Sequence, residues 1–191
     1  MKVAWIDCET TGLDPQKHGI IQLALIVEID HAVVERAEFM MNPVGKEFDE
    51  GALRINGYTK EALDAYPPSL GQKAKIEEFF AKFVEKFDKN DKFIAAGYNV
   101  AFDLDFLKQL WQDSGDKYFY SWFEHAAIDV YEAHRMLEWI GVAQVPENRK
   151  LETLAKMYGI PITAHDAAAD IEATRQIAEK IRENFGKGEK V

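Results

Sequence analysis

The sequence predicts an α/β protein: an antiparallel meander of three strands, then strands alternating with helices. Three observations carry this. The run from Val3 to Thr10 is apolar on both faces until it meets Asp7 and Glu9, as in a central strand. Ile20 to Ile29 and Val33 to Met41 flank a two-residue turn at Asp30-His31, as in a hairpin. Beyond Pro67-Pro68, short apolar strands alternate with segments whose apolar positions recur at helical spacing.

The elements follow in order. In the first strand Val3, Trp5, Asp7 and Glu9 share one face, and Ala4, Ile6 and Cys8 the other. Thr10-Thr11-Gly12 and Leu13-Asp14-Pro15 form the turn that leaves it. His31, in the hairpin turn, is expected to be solvated. Asn42-Pro43 ends the third strand. Glu47 to Tyr66 reads as one or two short helices interrupted at Gly57. Ser69 is the expected N-cap of a helix from about Leu70 to Phe87. Its stripe would be Ile76, Phe79, Phe80, Phe83, Val84 and Phe87.

Phe93 to Tyr98 is the next strand, and Ala101 to Asp113 the next helix. Asp103 precedes Phe106, Leu107, Leu110 and Trp111 at i+3, i+4, i+7 and i+8, so it heads the buried stripe. Asp105 falls on the polar face. Tyr118 to His125 is aromatic and irregular, Ala126 to Val130 a short strand, and Tyr131 to Trp139 a helix. Gly141 to Asn148 is a loop. Lys150 to Tyr158 is a helix closed by Gly159 and Pro161. The last helix starts near His165-Asp166 and runs to about Phe185. Asp170 lies on its apolar stripe with Thr174, Ile177, Ala178 and Ile181, and Glu172, Arg175 and Glu179 take the opposite, solvated face. A single domain is expected over 1–185, with a polar tail at 186–191.

Composition bounds the function. The 191 residues carry a net charge of −10, which disfavours a non-specific grip on long duplex nucleic acid. A short single strand held locally is compatible with it. The one cysteine, Cys8, allows no intramolecular disulfide and no thiolate zinc site, and suits the cytoplasm. No signal peptide and no membrane span are expected.

Four acids occupy costly positions: Asp7 and Glu9 at a strand end, Asp103 and Asp170 on the core side of helix starts. Alone, the Asp-x-Glu pair also fits a strand running out into water. Together, four hard oxygen donors without cysteine suit two Mg²⁺ or Mn²⁺ ions, a set used for phosphoryl displacement. His165 lies five positions before Asp170, off that helix face, on the loop leading into the helix. From there it can fold over the acids as a general base.

The motifs Asp7-Cys8-Glu9-Thr10-Thr11-Gly12, Asn99-Val100-Ala101-Phe102-Asp103 and His165-Asp166-Ala167-Ala168-Ala169-Asp170 stand in the order and spacing of a known family. The sequence resembles the DEDDh 3′–5′ exonucleases, among them the proofreading subunit of bacterial DNA polymerase III. The likeness runs from Lys2 to about Ile181. It implies a ribonuclease-H-like fold, a five-stranded mixed sheet flanked by helices. It implies metal binding by Asp7, Glu9, Asp103 and Asp170, with Asp7 bridging two ions and His165 as base. The backbone of Thr10, Thr11, Gly12 and Leu13 would hold the terminal nucleotide, with Leu13 against its base, and Asn99 and Phe102 would touch sugar or phosphate. Tyr98 departs from the family, in which many members have histidine.

The implied activity is release of nucleoside monophosphates from the 3′ end of single-stranded DNA. An RNA-trimming exoribonuclease or oligoribonuclease is the alternative, and a non-catalytic nucleic-acid-binding module is disfavoured by five intact site positions. The expected partner is single-stranded nucleic acid with a free 3′ end. A stand-alone enzyme is favoured over one associated with a DNA polymerase, because the sequence ends soon after the last helix.

Overall fold

The computed structural model describes residues 1–162 and 166–185. Its elements are β1 (Lys2–Thr10), β2 (Ile20–Ile29), β3 (Ala32–Met40), α1 (Glu50–Asn56), α2 (Lys60–Leu63), α3 (Ser69–Phe80), β4 (Phe93–Gly97), α4 (Val100–Asp113), β5 (Phe123–Asp129), α5 (Val130–Trp139), α6 (Leu151–Met157) and α7 (Ala167–Phe185). The five strands form one mixed sheet in the order β3-β2-β1-β4-β5. The meander β1-β2-β3 is antiparallel, and β4 and β5 add in parallel. Asp30 and His31 both adopt positive φ, as the tight turn between β2 and β3 requires.

The alternation in β1 divides the core. Ala4, Ile6 and Cys8 pack with Phe80, Phe106 and Trp111 of α3 and α4. Val3 and Trp5 pack on the other face with Leu154 of α6 and Ile171 and Ile177 of α7. On the first face Phe80 is fully buried, with ring centroids 5.7 Å from Phe93, 5.2 Å from Phe123 and 6.4 Å from Trp111. Burying a ring of this size contributes about 1.5–3 kcal/mol. Both faces of the sheet are thus covered, and the C-terminal end of β1 emerges between α4 and α7.

Pairing of β1 with β4 covers only Val3 to Trp5. Gly97 ends β4 against β1: a Cβ there would lie 2.8 Å from the Ile6 carbonyl oxygen. The chain then turns through Asn99, in the left-handed region at φ 58°, into α4. Cys8, Glu9 and Thr10 therefore extend past the end of the neighbouring strand. Open α/β sheets place their ligands at such a point.

Several sequence expectations are corrected. The helix expected over 70–87 stops at Phe80. Turns follow it, and the Lys2 ammonium takes the Phe83 carbonyl, which bends the chain back toward β4. Phe87 leaves the stripe, with positive φ and an exposed ring. Ser69 makes no side-chain cap; its backbone N–H donates to the Asn42 carbonyl, tying α3 to the end of β3. Strand β5 starts at Phe123, inside the stretch read as irregular, because pairing with β4 overrides its weak alternation. Arg175 is not solvated: its side chain is 13% exposed and lies among Glu28, Glu172 and Glu179. The expected tail at 186–191 lies outside the described residues. Among the described residues, no helix is long and apolar enough to cross a membrane.

Candidate active site

Asp7 and Glu9 leave β1 on the face that packs against α7, and Asp170 stands in the first turn of that helix. The three offer carboxylate oxygens that lie within 4.8 Å of one another. The helix dipole favours a carboxylate at Asp170. The turn is fixed by Asp166, which accepts the Ala169 N–H at 2.9 Å.

Asp103 is buried beside this cluster but plays a second part. Its Oδ1 accepts the backbone N–H of Cys8 at 2.8 Å. Because β4 stops short, that N–H has no strand partner on this side, and the carboxylate takes its place. Three of the four predicted acids therefore form one group, and the fourth fastens the strand that carries two of them. His165 lies outside the described residues.

The electrostatics follow from crowding. Burial pushes the Asp7 carboxyl well above its usual range, and the charges of Asp103, Asp170, Glu9 and Asp166 push it further. Glu9 is raised to about 7, by burial first and then by Asp170 and Asp166. Burial also raises Asp103, against the lowering effect of the Cys8 N–H. Carboxylates that destabilise one another's charge are complementary to a hard divalent cation. The donor set thus fits a metal held by Asp7, Glu9 and Asp170, with Asp103 next to it.

Crowding has a measurable cost without metal. A carboxyl whose folded pKa is raised holds its proton longer in the folded state than in the unfolded one. Its contribution is present below the unfolded pKa and is lost as pH rises to the folded value. For Glu9 the window runs from about 4.5 to about 7. In EDTA, the melting temperature should fall across that window, and the raised Asp7 and Asp103 should carry the fall to higher pH. Glu9→Gln should remove part of the fall, on the order of 3 kcal/mol at 1.4 kcal/mol per pKa unit. Identical pH profiles for parent and variant in thermal melts would show that the crowding is not felt.

The expected substrate positions divide in two. Thr10 and Thr11 are buried, and their hydroxyls donate to the carbonyls of Gly12 and Glu47. These side chains build the loop. Leu13 is 82% exposed at its crest. Asn99 is exposed, and the half-buried Phe102 ring lies 4.9 Å from the core ring of Phe106.

Sequence reading missed a supporting layer. His18 packs where a Cβ on Gly12 would stand, 2.5 Å from its ring, and its Nδ1 accepts the Asp14 N–H. Gln22 lies opposite Glu9 in the β1–β2 pair, and its Oε1 accepts from Tyr58 and from the Ala167 N–H that opens α7. Asp129 caps α5 and also accepts the N–H groups of Asn99 and Val100 at the start of α4. Gln22 facing Glu9 in the hairpin register was a readable signal. The Asp129 contacts span about thirty residues, and the His18 contact, though only four residues long, acts through a backbone N–H that no side-chain pattern marks.

Residues 4–178 match the exonuclease family RNase_T. The chain is 32% identical over 171 residues to the PolC-type DNA polymerase III of Lacticaseibacillus paracasei, covering 88% of this chain and 10% of the polymerase. The counterpart from Latilactobacillus sakei is 28% identical over 178 residues, 92% of this chain and 11% of that one. Among solved structures, the zinc-bound complex of E. coli exonuclease I with single-stranded DNA superposes with a TM-score of 0.83 at 25% identity, over 97% of this chain and 41% of that one. Its complex with a dT13 oligonucleotide gives 0.79, also at 25% identity, over 95% and 41%. The chain thus spans about a tenth of those polymerases and about two fifths of exonuclease I. The sheet order and the flanking helices are those of a ribonuclease-H-like fold, and the family is metal-dependent, in keeping with the carboxylate cluster. On the strength of the family match and the cluster at the end of β1, the chain belongs to the RNase_T exonuclease family.

Proposed function

We propose that this chain removes nucleoside monophosphates from the 3′ end of single-stranded DNA, using two Mg²⁺ or Mn²⁺ ions. The observation that carries the reading is the group of Asp7, Glu9 and Asp170 oxygens within 4.8 Å of one another. The single-stranded DNA bound by exonuclease I supports the substrate class.

Asp7, Glu9 and Asp170 hold the metal, and Asp103 completes the set while anchoring Cys8. When bound, such ions neutralise charge on the phosphoryl oxygens and make water a better nucleophile. His165 takes the proton of that water at an imidazole nitrogen as its oxygen bonds to phosphorus. The bond from phosphorus to the 3′ oxygen of the preceding nucleotide breaks, and that oxygen takes a proton from solvent, leaving a new 3′ hydroxyl and a free nucleoside 5′-monophosphate. Leu13 lies against the terminal base, with the Gly12 backbone beneath it and Asn99 and Phe102 beside the sugar and phosphate. The single cysteine suits work in the cytoplasm.

The test uses matched end-labelled DNA and RNA strands, linear and circular, with Mg²⁺, Mn²⁺ or EDTA. Mononucleotides should appear from linear DNA with either metal, and none in EDTA. Faster turnover of RNA would make it an exoribonuclease. Comparable cleavage of the circle would end the exonuclease reading.

A further inference from the structure

Helix α5 starts two strands over from β1, at the same edge of the sheet as the carboxylate cluster, and carries a stripe of side chains away from that edge. Its cap, Asp129, also holds the first turn of α4, three residues before Asp103. From there Tyr131, Arg135 and Trp139 follow at i, i+4 and i+8, within an arc of about 80°. The Tyr98 ring, at the end of β4, lies 5.7 Å from Tyr131. The Arg135 guanidinium lies 5.8 Å from the Tyr131 ring centre. Trp139 is 82% exposed, whereas Trp5, Trp111 and Trp122 are buried. Ile140 and Val142 continue the apolar surface into the next loop.

A row of two tyrosines, an arginine and a tryptophan that begins at the site has the character of a stacking platform. Every base offers a π-face, so aromatic rings hold a single strand without reading its sequence. Stacking also resolves a difficulty of charge. The chain carries −10, so a grip on phosphates alone is unfavourable. Along the stripe Glu138 is paired with Arg149, while Asp129 and Glu152 lie near Tyr98, so bases rather than phosphates must make the contact. Trp139 stands about 12 Å along the axis from Tyr131, at 1.5 Å per residue. That is the reach of about three to four stacked nucleotides.

We propose that this face of α5 is the track for the strand upstream of its 3′ end, with a base stacked on Trp139. This rests on the exonuclease reading of the site. A second protein seated on the same apolar face is the rival occupant, and continuity with the carboxylate cluster favours the nucleic acid.

Trp139 is the exposed indole, so its fluorescence reports on the track directly. The probes are oligothymidylates of increasing length, blocked by a methylphosphonate at the 3′-terminal linkage. Strands longer than about four nucleotides should quench the exposed emission, and the dinucleotide should not. With cleavable strands, Trp139→Ala should raise KM for long substrates about tenfold, with the loss in KM rather than kcat. Trp139→Phe should restore most of it. Absence of quenching overturns the track whatever the turnover. An unchanged dependence of KM on length in Trp139→Ala overturns it too, and a change of oligomeric state in that variant with unchanged KM marks a protein interface instead. Length-dependent quenching in a parent that cleaves no strand would refute the exonuclease reading and leave the track standing.

Discussion

Asp7→Ala should lower turnover about 10³-fold or more and abolish binding of divalent metal. Asp7 lies in the three-acid group, and the charges of Asp103, Asp170, Glu9 and Asp166 all act on it. It thus stands where the charges of the whole cluster converge. Metal stabilisation of a phosphoryl transition state is worth several kcal/mol, and each 1.4 kcal/mol is a factor of ten in rate. The fold should survive, because the variant removes a charge that burial disfavours. Calorimetry with Mn²⁺ and melting in EDTA separate the two effects. Parental Mn²⁺ binding by Asp7→Ala would take this residue out of the metal site. A large fall in EDTA stability would mark it as a structural acid.

His165→Ala should lower turnover by about 10²–10⁴, the usual scale for losing a positioned general base, while metal and substrate still bind. The assignment comes from sequence: His165 precedes Asp170 by five residues, and α7 begins at Ala167. The parental rate should rise with pH as the imidazole loses its proton, since only the neutral ring accepts one. Ionisation of the attacking water can add to that rise, so the comparison decides. The variant's profile should lose the histidine's contribution. Near-parental turnover in His165→Ala would assign proton removal elsewhere.

What the sequence disclosed depended on how local the cause was. The faces of β1 were legible because a strand has a period of two, and that places Asp7 and Glu9 toward α7. The phase of α4 likewise marked Asp103 as buried and Asp105 as outward. Helix α3 was overextended because Phe83, Val84 and Phe87 keep helical spacing. Beyond its end the chain is met by Lys2, which holds the Phe83 carbonyl from eighty-one positions away. The site showed the same division. The acids were visible because charge on an apolar stripe is anomalous. Asp129 and His18 were not, since each acts through backbone N–H groups that sequence periodicity does not report. Asp103 was recognised as a site acid, but its bond to Cys8 needed the early end of β4 to be seen.

The central place of β1 also bears on when activity can arise during folding. Its acids come from the first ten residues, Asp103 from the middle of the chain, and Asp170 from the last helix. Joining segments so distant in sequence is a late, entropically costly event. An early hairpin of β1 and β2 would present Asp7 and Glu9 with no counterpart. Docking of α7 against those strands, with Gln22 accepting from Ala167, brings in Asp170. The three-acid group is therefore complete only once α7 has docked, and a half-folded chain carries Asp7 and Glu9 without Asp170.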